Sequence, residues 1–162
     1  MKRPVLALAV VVAVVAVAHS TAGAQAPGPR TINLVERDKG SSFGFIDNRP
    51  RIRNERRPIL SPGDAYVFSS PLFDEANRAK VGRLHVQCAV TKRGTEDTAT
   101  TLCTGVFKLR DGQIVVNTVI AGDPRTVTGA VTGGDGAYAG ARGTFTSTNN
   151  RTGSVDVISL LG

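Results

Sequence analysis

An all-β fold, built as a sandwich or a barrel, follows from three features of this 162-residue chain. Apolar and polar residues alternate with a period of two over several short runs. Turn signals recur between those runs. No stretch after residue 25 places apolar residues at helical spacing. Strands half-buried between a core and water read this way because successive side chains point to opposite faces.

The strands take their order from these runs. In "TINLVER" (31–37), Thr31, Asn33 and Val35 share one face and Ile32, Leu34 and Glu36 the other. "LHVQCAV" (84–90) sets Leu84, Val86, Cys88 and Val90 against His85, Gln87, Ala89 and Thr91. "CTGVFKL" (103–109) aligns Cys103 with Phe107 and Leu109. "QIVVNTVIA" (113–121) is rich in the β-branched residues that strands favour. Asp111-Gly112 stands between the last two runs and predicts a hairpin. Further turn signals fall at Pro62-Gly63-Asp64, Gly122-Asp123-Pro124, Gly133 to Gly136 and Asn149-Asn150. Residues 49–62 are the least regular and are expected to be a loop; residues 93–101 are expected to form a hairpin end.

The segment "AVTGGDGAYAGARGTFTS" (130–147) contains Gly134-x-Gly136-x-x-Ala139, the relaxed spacing of a dinucleotide fingerprint. That motif needs a following helix. The residues after Gly136 bring two more glycines and a Thr/Ser run, which oppose a helix, and too little chain remains for a doubly wound domain. The glycines are therefore expected to make a tight turn with positive φ and to let backbones approach closely. "ARGTFTS" (141–147) reads as a further strand.

Residues 1–24 read as a secretory signal peptide. Lys2 and Arg3 precede an apolar run over residues 5–18, and Ala22-Gly23-Ala24 supplies small residues before Gln25. The run is short for a membrane span, and retention as an N-terminal anchor is the alternative. Residues 25–162 then form one domain, secreted to the extracellular space or periplasm. Cys88 and Cys103 form a disulfide in such a compartment; two free thiols or half a metal site are the alternatives. His85 is the one histidine left after cleavage, which argues against a metal site, and it is placed on the polar face of its strand.

The chain carries 20 Lys and Arg against 13 Asp and Glu, a formal net charge of +7. Removal of Lys2 and Arg3 leaves the balance positive. Much of it is local, at Arg49, Arg51, Arg53, Arg56 and Arg57. This cluster is either a solvated loop or a contact for an anionic surface. With no Trp and few aromatics, an exported chain is a poor nucleic-acid binder. No Ser/His/Asp set sits in a nucleophile-elbow context. Asn150-Arg151-Thr152 is a glycosylation sequon in a eukaryotic secretory pathway.

Three segments resemble the allene oxide cyclase barrel family, which shares its fold with plant dirigent proteins. They are "VERDKGSS" (35–42), "PGDAYVFSSPLFDEANRAKVGRLHVQC" (62–88) and "AVTGGDGAYAGARGTF" (130–145). The resemblance implies a small closed antiparallel β-barrel of about eight strands around an apolar cavity, a homotrimer, and no cofactor or metal. It implies a small apolar or phenolic ligand whose cyclisation or coupling is steered by enforced geometry, as in a cofactor-free isomerase.

The likeness also implies site residues. Asn33 stands where the cyclases carry a carboxylate, Val35 where they carry an asparagine, and Ser41 keeps their serine. Arg142 keeps the arginine of the dirigent Ala-Arg-Gly step. Asn33, Ser41 and Arg142 are the candidate catalytic residues; the alternative for Asn33 and Ser41 is that both satisfy backbone groups at a strand end. Tyr138, Val35, Phe68 and Ser70 are the candidate ligand contacts, with Tyr138 and Arg142 sharing one face at the cavity mouth if the strand is regular; the alternative is a core or rim aromatic at Tyr138 and a solvated charge at Arg142. Cys88 matches a cavity cysteine and is the candidate disulfide partner of Cys103. A non-catalytic secreted module that binds an anionic polymer through the arginine cluster is the competing function.

Overall fold

The computed structural model describes residues 29–48 and 58–162. Its backbone follows the alternating runs: β1 (Arg30–Arg37), β2 (Ser42–Ile46), β3 (Ala65–Asp74), β4 (Lys80–Lys92), β5 (Thr100–Leu109), β6 (Gly112–Ala121), β7 (Thr126–Gly134), β8 (Gly143–Asn150) and β9 (Gly153–Leu160). A short 3-10 turn at Gly136–Tyr138 lies between β7 and β8. The sheet runs β1-β9-β8-β7-β6-β5-β4-β3-β2, and β1 also pairs with β3. That extra pairing closes eight strands into an antiparallel barrel. β2 extends the wall by pairing with Ala65–Ser69 of β3, beyond the point where β1 pairs with Leu72–Asp74.

Closure leaves no long free edge and gives each strand an inner and an outer face. The register shows which is which. Leu34 opposes Asp156, Leu84 opposes Phe107, and Phe107 opposes Ile114, and all five are buried. The apolar face of each alternating run is thus the interior, and His85 and Gln87 are exposed outside. The hairpin at Asp111-Gly112 forms, with Leu109 opposite Gly112.

Cys88 and Cys103 face each other across β4 and β5 and are joined by a disulfide. With a sequence separation of 15, this link removes about 3 kcal/mol of loop entropy from the unfolded chain.

Residues 49–57, which hold Arg49, Arg51, Arg53, Arg56 and Arg57, lie outside the described residues, as do residues 1–28, where the signal peptide is expected. Their flanks are held by one side chain. Asp64 is fully buried, and its carboxylate accepts the Asn48 N–H at 2.8 Å and the Ser61 N–H at 2.7 Å. Leu60 bridges to Gly94, which places this junction beside the β4–β5 turn.

Candidate functional site

The barrel is solid at one end and hollow at the other. At the solid end Leu72, Ile114, Val131, Tyr138, Ile158 and Leu160 belong to one buried apolar cluster. The glycine-rich segment delivers the Tyr138 ring. Gly136 has φ +56°, and a Cβ there would stand 2.4 Å from the Asp111 carbonyl oxygen, so glycine alone fits. Asp135 Oδ1 accepts the Gln113 N–H at 2.7 Å and Oδ2 accepts Nε2 of the same residue at 2.9 Å, which ties the turn to β6. The segment is therefore the plug of the barrel, with the positive φ and close backbone approach expected of its glycines.

At the other end a cavity of about 500 Å³ opens. Phe68, Leu84, Val86, Phe107, Val116 and Phe145 form its apolar floor and walls, and Thr101, Thr118 and the Cys88–Cys103 disulfide lie higher up. Phe107 and Phe145 meet edge to face with centroids 6.5 Å apart. Phe145 has room because its cross-strand partner is Gly129; a Cβ there would come within 2.4 Å of the ring. The rim carries Phe43, Tyr66, Asp38, Glu96 and Asp123. Phe43 is 71% exposed and lies 6.4 Å from the Tyr66 ring. Burial raises the Tyr66 pKa, and the charges of Glu96 and Asp64 raise it further.

One corner of the cavity is polar. Glu36 from β1, Ser147 from β8, and Ser154 and Asp156 from β9 all line it. The Ser154 hydroxyl lies 2.9 Å from Glu36 Oε2 and 3.1 Å from Asp156 Oδ1. A hydroxyl has one proton, so it cannot donate to both carboxylates. Both contacts become hydrogen bonds when Asp156 is protonated and donates to Ser154 Oγ, which then donates to Glu36. The electrostatics agree. Asp156 is fully buried, and burial pushes its pKa from 3.8 up to about 6; the Glu36 charge pushes the same way, while the Ser147 and Ser154 hydroxyls oppose it. Ser147 stands directly opposite Asp156 across the β8–β9 ladder. It is near enough to lower the pKa but does not reach hydrogen-bonding geometry, and Asp156 Oδ2 has no partner among the described residues. An acid whose pKa is raised to about 6 beside an apolar wall can deliver or accept a proton.

Of the residues proposed from sequence, Phe68 lines the cavity and Cys88 and Cys103 form its disulfide. Ser70 is buried on the same face of β3, and its hydroxyl lies 2.9 Å from that of Ser41. Ser41 also donates to the Arg37 carbonyl at 2.8 Å, so this pair fastens the β1–β2 turn. Asn33 and Val35 occupy the opposite face of β1 from Leu34 and Glu36, and Asn33 donates to Glu75 Oε1 outside the barrel at 3.1 Å.

Tyr138 and Arg142 do not sit together at the mouth. The 3-10 turn interrupts strand alternation and sends Tyr138 into the solid end, under the Arg30 guanidinium at 4.5 Å, while Arg142 is exposed. Glu36, Ser147, Ser154 and Asp156 were not singled out from sequence. One signal was available: in "SVDVISL" Asp156 falls in phase with Ile158 and Leu160, an acid on an apolar face.

Among solved structures, the chain is similar to a pyocyanin demethylase at 23% identity and a TM-score of 0.61, covering 82% of this chain and 98% of that one. It is also similar to the Diels Alderase AbmU from Streptomyces koyangensis, at 14% identity and a TM-score of 0.56 over 82% of this chain and 62% of that one. AbnU, an exo-specific intermolecular Diels-Alderase, matches at 15% identity and a TM-score of 0.56, over 83% of this chain and 98% of its own. At these identities the likeness is one of fold. No curated protein matches the chain by sequence. Residues 51–157 match the model of the allene oxide cyclase barrel like domain, two-thirds of the chain in one continuous span, and the chain belongs to that family.

Proposed function

We propose that this barrel takes a small apolar or phenolic molecule into its open end and steers the molecule's cyclisation or coupling. The observation that carries this reading is the cavity itself. Its volume of about 500 Å³ falls within the range of small-molecule sites, and its apolar walls converge on one acidic corner. Aromatic and aliphatic walls would hold a flexible substrate in one folded conformation, which accelerates ring closure by removing rotational freedom before reaction. Asp156 would serve as the proton donor or acceptor where charge develops, and Ser154 and Glu36 would position it.

Incubating the purified domain with polyenes, lipid epoxides and phenolic radicals, with and without Asp156→Asn, tests the reading. A changed product ratio that depends on Asp156 supports it. Unchanged ratios with no bound molecule detected by native mass spectrometry would discard it.

Export and assembly belong to the same proposal. N-terminal sequencing of the secreted protein should begin at Gln25. Ile46, Ala65, Ala89, Leu102 and Val119 follow one another across five strands of the outer wall. Ile46, Leu102 and Val119 are at least 49% exposed. This apolar row supports packing of further copies into the trimer that the family likeness implied.

A further inference from the structure

The described lining of the cavity has a sign that the chain as a whole does not. The sequence carries an excess of Lys and Arg, with a formal net charge of +7. Yet among the described residues no Lys, Arg or His lines the cavity, whereas Glu36, Asp38, Glu96, Asp123 and Asp156 all do. Carboxylates that surround a recess with low-dielectric walls concentrate a negative potential inside it, whatever the net charge outside. A cluster of acids can be no more than a solvated rim. Here a second observation points inward. Asp156 is fully buried, lines the cavity, and leaves Oδ2 without a hydrogen-bond partner among the described residues. A buried acceptor left open costs free energy that an incoming donor recovers.

We infer that the ligand is an apolar molecule bearing a cationic or protonated nitrogen, which Asp156 Oδ2 receives at the acidic corner while Phe107 and Phe145 hold the carbon skeleton. This rests on the reading of the cavity as a ligand site and names the ligand's chemical class. A charged N–H donor makes a stronger bond to a carboxylate than a neutral hydroxyl does. The aromatic rings of Phe107 and Phe145 lie beside the same space and tolerate a cation against their faces. An anion would meet five carboxylates and no described basic side chain.

Three naphthalene probes of nearly equal size separate the possibilities: 2-naphthol (neutral), 1-naphthylmethylammonium (cationic) and 2-naphthoate (anionic). Affinities are measured by isothermal titration on the purified domain at pH 8. The expected order is cation, neutral, anion, with the cation about tenfold tighter than the neutral probe. Asp156→Asn, with folding checked by circular dichroism, should erase most of that tenfold preference and leave naphthol within about twofold. Glu36→Gln should reduce the preference by a smaller factor. If naphthol binds and the ammonium binds no tighter, or if naphthoate binds best, the inference is overturned and the ligand-binding reading stands. If none of the three binds, both are overturned.

Discussion

The two ends of this barrel are made of the same strands and put them to opposite uses. At the plugged end Ile114, Ile158 and Leu72 are fully buried, and Tyr138 is carried into the core by a turn built on glycine. At the open end the same ladders carry Glu36, Ser154 and Asp156 around empty space. The plugged end stabilises by dense apolar contact. The open end gives up such contact and also confines an acid whose ionisation is unfavourable there. The difference teaches that stability and function are separated along the barrel axis, so each end should respond to substitution in its own way.

The largest effect should come from the plug. Ile158→Ala removes a fully buried side chain and should destabilise by about 2–5 kcal/mol. Val86→Ala, at the cavity wall, should cost clearly less, because its side chain already borders a void. Denaturant unfolding of both variants measures the contrast, and equal losses would break it.

Asp156→Asn should act in the opposite direction, and with a sign that depends on pH. The folded pKa of Asp156 is raised from 3.8 to about 6, so the folded state holds its proton more tightly than the unfolded chain does. The associated stability is complete below about pH 4 and is lost as pH rises through 6. The loss is on the order of 3 kcal/mol above that pH. Asp156→Asn should therefore raise the melting temperature at pH 8 and leave it nearly unchanged at pH 4. A pH-independent difference would mean that Asp156 is not held as an unfavourable charge.

Replacing Cys88 and Cys103 together by alanine should cost about 3 kcal/mol or somewhat less, with ligand affinity read in parallel because the disulfide lines the cavity. The smallest effects belong outside the barrel. Asn33→Ala and Arg142→Ala alter exposed or outward-facing groups and should shift stability by less than about 0.5 kcal/mol, with probe affinity unchanged. A large loss of affinity in either would place functional chemistry away from the cavity.

Much of this was legible in advance. The strands at residues 84–90, 103–109 and 113–121 appear where alternation placed them, and Leu84, Cys88, Cys103 and Phe107 occupy the interior. The rejection of a nucleotide loop at 134–139 holds, since a strand precedes Gly136 and no helix follows beyond the 3-10 turn. The site was less legible. Asn33 and Val35 are implied by the family resemblance, and strand phase turns them outward. Tyr138 and Arg142 share a face only in a regular strand, and the 3-10 turn interrupts it. Asp156 was overlooked because an acid in phase with Ile158 and Leu160 is informative only once that face is known to enclose a cavity.

By itself the amino-acid order determined the extended strands, their turns and which residues share a face, because these depend on steric and solvation preferences between neighbours along the chain. Only the closed tertiary structure decided that one end would be filled and the other hollow. It alone brought Glu36 within hydrogen-bonding distance of Ser154, 118 residues away, across the seam where β1 meets β9. Such a contact depends on the register of a long-range ladder and on the curvature that closes it, and neither is written in any short window of sequence.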